Sequence, residues 1–191
     1  MRTTEVNMDR NLIIDGKRIY LRPYSGQDIE DHVAILSDWN VTKWLSNTVP
    51  YPYTKADGEK FLERDKIDFE EGNTIHFAIM EKETDRHMGG IKIFSLKNSE
   101  TEVGYWMGQD FWGKGYGTEV LDITIEWIKL AGNVNMVFAI TANDNKGSRR
   151  ILEKVGFVHK GSPPAEHAKC GHGVACSEYY VLPLIKRENN E

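Results

Sequence analysis

Three glycines at alternate positions, Gly113, Gly115 and Gly117, interrupt the run Asp110-Phe111-Trp112-Gly113-Lys114-Gly115-Tyr116-Gly117-Thr118. A strand-like segment precedes the run and a long helical pattern follows it. With no side chains in the way, such a turn presents a row of backbone N–H groups at the positive end of a helix dipole. That combination holds phosphate. A dinucleotide fold requires G-x-G-x-x-G, but here the third glycine comes one residue early and Thr118 stands in its place. An NTPase loop requires G-x-x-x-x-G-K-[ST], and the chain contains no such run. Incidental glycines are a poor explanation, since each costs on the order of 1 kcal/mol inside a helix.

A second group of chemistry-bearing residues lies near the C-terminus. His167, Cys170, His172 and Cys176 fall within ten residues and could satisfy zinc as two Cys and two His. Their spacing matches no finger. A hairpin loop without a metal is the expectation for this stretch.

The elements that must position the turn follow from periodicity and punctuation. Residues 1 to about 15 are polar and read as a frayed terminus, with 16–186 as one domain and 187–191 as a polar tail. Arg18 to Tyr24 alternates as a strand. Gln27 to Ser37 reads as a helix with Ile29, Val33 and Leu36 on one side, and Asn40 to Leu45 as a short helical turn. The prolines of Val49-Pro50-Tyr51-Pro52-Tyr53 exclude regular helix. Thr54 caps a helix that runs to about Glu71 and stops at Gly72. Strands at Thr74 to Met80, Met88 to Phe94 and Thr101 to Met107 form a meander, with Thr84-Asp85-Arg86-His87 turning between the first two. The helix from about Gly115 to Ala131 confines Glu119, Asp122, Glu126 and Lys129 to one narrow stripe, so most of its circumference packs on a sheet. Asn135 to Ala142 is a central strand. Lys146 to Val155 is a helix closed by Gly156, and Phe157 to Gly161 with Val174 to Leu184 makes a final strand pair. The order predicts an α/β (α+β) domain with a mixed, mostly antiparallel sheet and helices on both faces.

Composition bounds the function. The chain has 191 residues, 40% hydrophobic and 28% charged, enough to bury a core without staples. A net charge of −5 argues against a general nucleic-acid binder. No apolar run is long enough to cross a membrane, and the first ten residues lack the apolar core of a signal peptide. Two cysteines are too few for a disulfide scaffold, so a cytoplasmic location is expected.

Three separated motifs then converge. They are Glu102-Val103-Gly104-Tyr105-Trp106, then Trp112-Gly113-Lys114-Gly115-Tyr116-Gly117-Thr118-Glu119, then Asn145-Lys146-Gly147-Ser148-Arg149-Arg150-Ile151-Leu152-Glu153-Lys154-Val155-Gly156-Phe157. Together with Arg18-Ile19-Tyr20-Leu21-Arg22-Pro23 and Pro50-Tyr51-Pro52-Tyr53-Thr54, they make roughly residues 17 to 185 resemble the GNAT family of acyl-CoA-dependent N-acetyltransferases. The closer likeness is to its RimJ/RimL-type branch, which acetylates protein N-termini and various small amines. Trp112 replaces the Arg or Gln that opens the general family pattern, a substitution common in that branch.

The resemblance implies a sheet splayed between its fourth and fifth strands, Thr101–Met107 and Val137–Ala142. The phosphate becomes the pyrophosphate of coenzyme A, held by the turn Trp112, Gly113, Lys114, Gly115, Tyr116, Gly117 and Thr118. Lys114 either adds its charge or is simply solvated. Tyr105, Trp106 and Met107 would pair with the pantetheine amides, and Asn143, Asn145 and Ser148 would contact the cofactor. Acetyl transfer needs a neutral amine, and Glu102 is the candidate base, directly or through a water, against the plain reading of a solvated strand glutamate. Ser148 would hydrogen-bond or protonate the departing thiolate, by likeness to the branch, while also serving its helix terminus. Trp39, Trp44, Tyr51 and Tyr53 are candidate liners of an acceptor pocket. Acetyl-CoA and an amine are the implied partners, without metal, nucleic acid or membrane, in a monomer or homodimer. The acceptor stays open between a protein N-terminal amine and a small amine or amino sugar. A non-catalytic acyl-CoA sensor on the same fold is the alternative of another class.

Overall fold

A computed structural model describes residues 9–96, 98–131, 133–164 and 176–184. Its eight strands are β1 (Ile14–Asp15), β2 (Ile19–Pro23), β3 (Ile75–Glu81), β4 (His87–Ile93), β5 (Glu100–Met107), β6 (Met136–Ala142), β7 (Val158–His159) and β8 (Cys176–Pro183). They form one sheet in the order β1-β2-β3-β4-β5-β6-β8-β7. The helices are α1 (Ile29–Leu36), α2 (Trp39–Thr42), α3 (Lys55–Glu71), α4 (Tyr116–Ala131) and α5 (Lys146–Val155).

All neighbouring strands pair antiparallel except β5 and β6. That parallel pair has only three rungs, Glu100 with Met136, Thr101 with Val137 and Glu102 with Phe138. Beyond Glu102 the two strands part, although β5 runs on to Met107 and β6 to Ala142. This is the predicted splay. The fourth and fifth strands of the sequence reading are β5 and β6, because Ile14–Asp15 adds a strand ahead of them.

That extra strand corrects the expectation of a frayed terminus up to residue 15. Ile14 pairs with Leu21 and is 8% exposed. The Gly16 N–H donates to the Ile19 carbonyl at 2.9 Å to close the turn. A two-residue strand is too short to display alternation, so only burial reveals it.

The main core lies between the sheet and α4 and α5. It gathers Leu21, Phe77, Ile91 and Val103 from the sheet with Val120, Leu121, Ile128 and Leu152 from the helices. On α4 the charges occupy the predicted stripe, while Trp127 meets Phe77 edge-on with ring centroids 5.4 Å apart. Leu130 departs from that pattern and projects from the last turn, 88% exposed. Two smaller clusters lie beneath α1, α2 and α3 on the other face.

Caps define the helices locally. Thr54 Oγ1 accepts the Asp57 N–H at 3.3 Å and Asp57 returns a bond to the Thr54 N–H at 2.9 Å, a capping box at the start of α3. Gly72 ends α3 in the left-handed region at φ 62°. The predicted helix Gln27–Ser37 is divided. Residues Gly26–Asp28 form a 3-10 turn, because the Asp28 carboxylate is drawn to Arg22 by two bonds of 2.7 and 2.8 Å and to the Ser25 N–H at 2.8 Å. The short turn predicted at Asn40–Leu45 is α2, begun one residue earlier by Asp38, which accepts the Asn40 N–H.

Candidate functional site

The parting of β5 and β6 opens a cavity of about 1190 Å³ that runs from one face of the sheet to the other. Along β5, Val103, Tyr105 and Met107 turn toward the main core, and Trp106 turns toward α1 and α3. The cavity therefore has a lobe beside α4 and α5 and a lobe beside α1, α2 and α3.

The first lobe is floored by the glycine-rich turn. Gly113 and Gly115 sit at φ 73° and 81°, a conformation L side chains rarely adopt. A Cβ at Gly113 would meet nothing within 4 Å, so the turn faces open space. At Gly117 a Cβ would fall 2.7 Å from Ile151 Cδ1, and its absence lets α4 pack closely against α5. Arg18 braces the turn from behind. Its Nη1 donates to the Lys114 carbonyl at 2.9 Å, its Nε pairs with Glu119 at 2.8 Å, and its guanidinium lies 4.3 Å over the Tyr116 ring. Burial pulls the Glu119 carboxyl upward, but the Arg18 bonds outweigh it and hold the group below its usual range. Trp112 Nε1 donates to the Met107 carbonyl at 2.7 Å and ties the turn to the end of β5.

Trp112, Gly113, Gly115, Tyr116, Gly117 and Thr118 line the cavity, as do Tyr105, Trp106, Met107, Asn145 and Ser148. Lys114 and Asn143 are exposed and lie outside the lining; the Asn143 carbonyl accepts from Arg149 at 3.3 Å. Lys146, Arg150 and Lys154 line the lobe as well, one turn apart along α5, and form no ion pair among the described residues. Sequence reasoning passed over this cationic stripe, although its i, i+4, i+8 spacing was there to be read. Glycine cradle, helix N-terminus and unpaired cations together fit the pyrophosphate and phosphate groups of coenzyme A.

At the fork itself sit the two reactive candidates. Glu102 is half-buried on the last paired rung, at the vertex where the cavity begins. Ser148 lies in the first turn of α5, where its N–H donates to Asn145 Oδ1 at 3.1 Å. Tyr105 reaches from β5 to bring its hydroxyl 3.1 Å from Ser148 Oγ and 3.4 Å from the Ser148 carbonyl. Burial pushes the Tyr105 phenol above its ordinary value, only partly offset by the Ser148 bond.

The second lobe takes Trp44 and Tyr53 from the predicted acceptor residues. Trp39 and Tyr51 lie outside it. Their rings face each other at 4.7 Å, and both residues are more than two-fifths exposed. One stripe of α3, Asp57, Lys60, Phe61, Arg64 and Asp68, makes a wall. Sequence reasoning missed His32, which stacks on Phe61 at 4.7 Å and whose Nε2 lies 3.1 Å from the Tyr53 hydroxyl. Burial lowers its pKa to about 3, so it is neutral at ordinary pH and fills an apolar slot. His87, read as part of a turn, instead opens β4 and is 3% exposed.

The loop bearing His167, Cys170 and His172 lies outside the described residues, as does the side chain of Cys176. Among the described residues no group of three or more His, Cys, Asp or Glu could hold a metal ion, and no helix is long and apolar enough to cross a membrane.

Residues 18–158 match the acetyltransferase (GNAT) domain family. The chain is 27% identical over 175 residues to the uncharacterized N-acetyltransferase p20 of Bacillus licheniformis, covering 90% of this chain and 95% of that one. Among solved structures, Mycobacterium smegmatis RimJ in complex with CoA-disulfide superposes with a TM-score of 0.77 at 17% identity, covering 86% of this chain and 81% of that one. The ribosomal-protein-S5-alanine acetyltransferase of Vibrio fischeri superposes with a TM-score of 0.75 at 16% identity, covering 90% and 96%.

Proposed function

The chain belongs to the GNAT family and is an acetyl-CoA-dependent N-acetyltransferase; we propose that its acceptor is the N-terminal amine of a protein. One observation carries the reading: the fork leaves a single cavity joining a phosphate cradle on one face to a chamber on the other, with Glu102 where they meet. An acceptor can thus approach from the α1–α3 side while the cofactor occupies the α4–α5 side. Ribosomal-protein acetyltransferases among the structural neighbours support a protein acceptor.

When bound, acetyl-CoA supplies the acetyl group as a thioester. The turn Gly113 to Thr118 would hold its pyrophosphate, with Lys146, Arg150 and Lys154 adding charge. β5 beyond Glu102 has no β6 partner, so its backbone groups are open to amide bonds along the gap. Glu102 takes the proton that the amine nitrogen loses as it becomes an amide. Ser148 donates a hydrogen bond to the sulfur that leaves with the C–S bonding pair, and solvent carries the proton taken by Glu102 to that thiolate. Overall one proton passes from nitrogen to sulfur. An α-amino group, with pKa near about 8, asks little of its base at neutral pH, whereas a lysine amine near about 10.4 asks far more. One half-buried glutamate suits the former.

The test is thiol release from acetyl-CoA by the purified chain, with mass analysis of the acceptor. The panel comprises hexapeptides beginning with Ala, Ser and Met, a peptide with only a lysine amine free, spermidine and glucosamine. Preferred acetylation of peptide N-termini is expected. Turnover with glucosamine or spermidine alone would replace this acceptor with a small amine.

A further inference from the structure

Tyr105 carries a half-buried hydroxyl that the reaction described above does not use. It reaches from the unpaired part of β5 to α5, and its oxygen lies 3.1 Å from Ser148 Oγ. We propose that Tyr105 is a positioning residue that acts through Ser148, fixing the serine hydroxyl so that its proton points at the departing sulfur. This rests on the role assigned to Ser148.

By geometry either hydroxyl of the pair could donate, and the proposal assigns donation to the phenol. Burial keeps the Tyr105 phenol protonated, and a phenol is a better donor than an aliphatic alcohol. Ser148 Oγ, at 3.1 Å, is taken as the acceptor in preference to the Ser148 carbonyl at 3.4 Å, which leaves the serine's own proton for a third group. A serine in a helix otherwise tends to turn that proton back to a carbonyl one turn earlier. Donation from Tyr105 takes one of the two Oγ lone pairs and favours a rotamer that opposes this. The serine is held from its other side too, because Asn145 Oδ1 accepts the Ser148 N–H and fixes the first turn of α5. A hydrogen-bond donor preset toward developing negative charge costs no reorganisation at the moment of bond breaking. Tyr105 moves no proton in this scheme; it only orients one.

The experiment is a double-mutant cycle on the full chain with Tyr105→Phe, Ser148→Ala and the combination. Rates are measured with acetyl-CoA and the fastest acceptor of the panel above, and coenzyme A affinity by calorimetry. Tyr105→Phe is expected to lower kcat about 10-fold with KM for acetyl-CoA within about twofold, since the ring and its packing remain. On the Ser148→Ala background the same substitution should change kcat by less than twofold. Equal losses in both backgrounds would overturn the proposal, because Tyr105 would then act independently of Ser148. A loss confined to KM and to coenzyme A affinity would overturn it as well and leave Tyr105 a packing residue. An impaired Ser148→Ala beside an unimpaired Tyr105→Phe would remove the inference and keep the serine's role. An unimpaired Ser148→Ala would remove both.

Discussion

Glu102 owes its place at the fork to register. It occupies the last rung that β5 shares with β6, so its side chain sits where the cavity opens. Glu102→Gln keeps the shape and removes the basic oxygen. The variant then depends on solvent to deprotonate the amine, and a positioned base contributes typically about 10²-fold or more. We expect kcat/KM at pH 7 to fall by about that factor. The rate should keep climbing toward the amine's own pKa of about 8, moving the apparent optimum upward. An unaltered pH–rate profile would remove Glu102 as base. Gly115 tests the other half of the site. Glutamate there must adopt φ 81°, and its Cβ would lie 3.5 Å from Arg18 Nη2, so it strains the turn and competes for the cation that braces it. Coenzyme A at about 100 times its Kd should stabilise the parent chain by about 2.7 kcal/mol. Gly115→Glu should abolish that thermal shift and leave the circular dichroism spectrum in place. A retained shift would sink the phosphate assignment.

At the scale of elements, legibility in the sequence tracked locality. The turn before α4, the capped start of α3 and the Asn145 and Gly156 ends of α5 are written in a few adjacent residues, and each is found where the pattern put it. The chamber beside α1 was not legible. Its rings come from α1, α3 and β5, far apart in the chain, and His32 occupies a buried place that a periodicity count reserves for apolar residues. Arg18 escaped notice too, since only the fold brings β2 under the start of α4. On the proposed reading these elements serve different substrates, which yields a paired prediction. Thr54→Ala removes the α3 cap, costing about 1 kcal/mol and lowering Tm by about 3 °C in a chain of this size. Because α3 walls the second lobe, KM should rise for the acceptor and stay constant for acetyl-CoA. Arg18→Ala frees the glycine-rich turn and should do the reverse. Steady-state kinetics with each substrate varied in turn would show it; both variants shifting the same KM would contradict the division into two lobes.

At the scale of the whole molecule, the buried imidazoles tie folding to pH. His32 lies among Tyr24, Tyr53, Phe61 and Trp106, with His87 from β4 at a ring distance of 6.0 Å. Burial is the largest influence on it. The charges of His87 and His76 would lower its pKa further, and Asp28 opposes them. In the folded chain His32 stays neutral down to about pH 3, and burial lowers His87 as well. The unfolded chain protonates both near about 6.5. Between those values the unfolded state binds more protons, so stability falls as pH falls, by up to about 1.4 kcal/mol per pH unit for each such group. The full contribution is present above about pH 6.5. Asp28, held low by Arg22 against its own burial, adds its loss only below the usual carboxylate value of 3.8. The window from pH 6.5 to 4.5 is therefore governed by the imidazoles. His32→Phe removes one titrating group and keeps an aromatic ring against Phe61. Thermal melts across that window should show Tm falling with pH in the parent and falling less steeply in the variant, with His87 contributing in the same direction. Equal slopes would mean that His32 is already charged in the folded chain, and that the chamber beside Glu102 is wetter than its lining of rings implies.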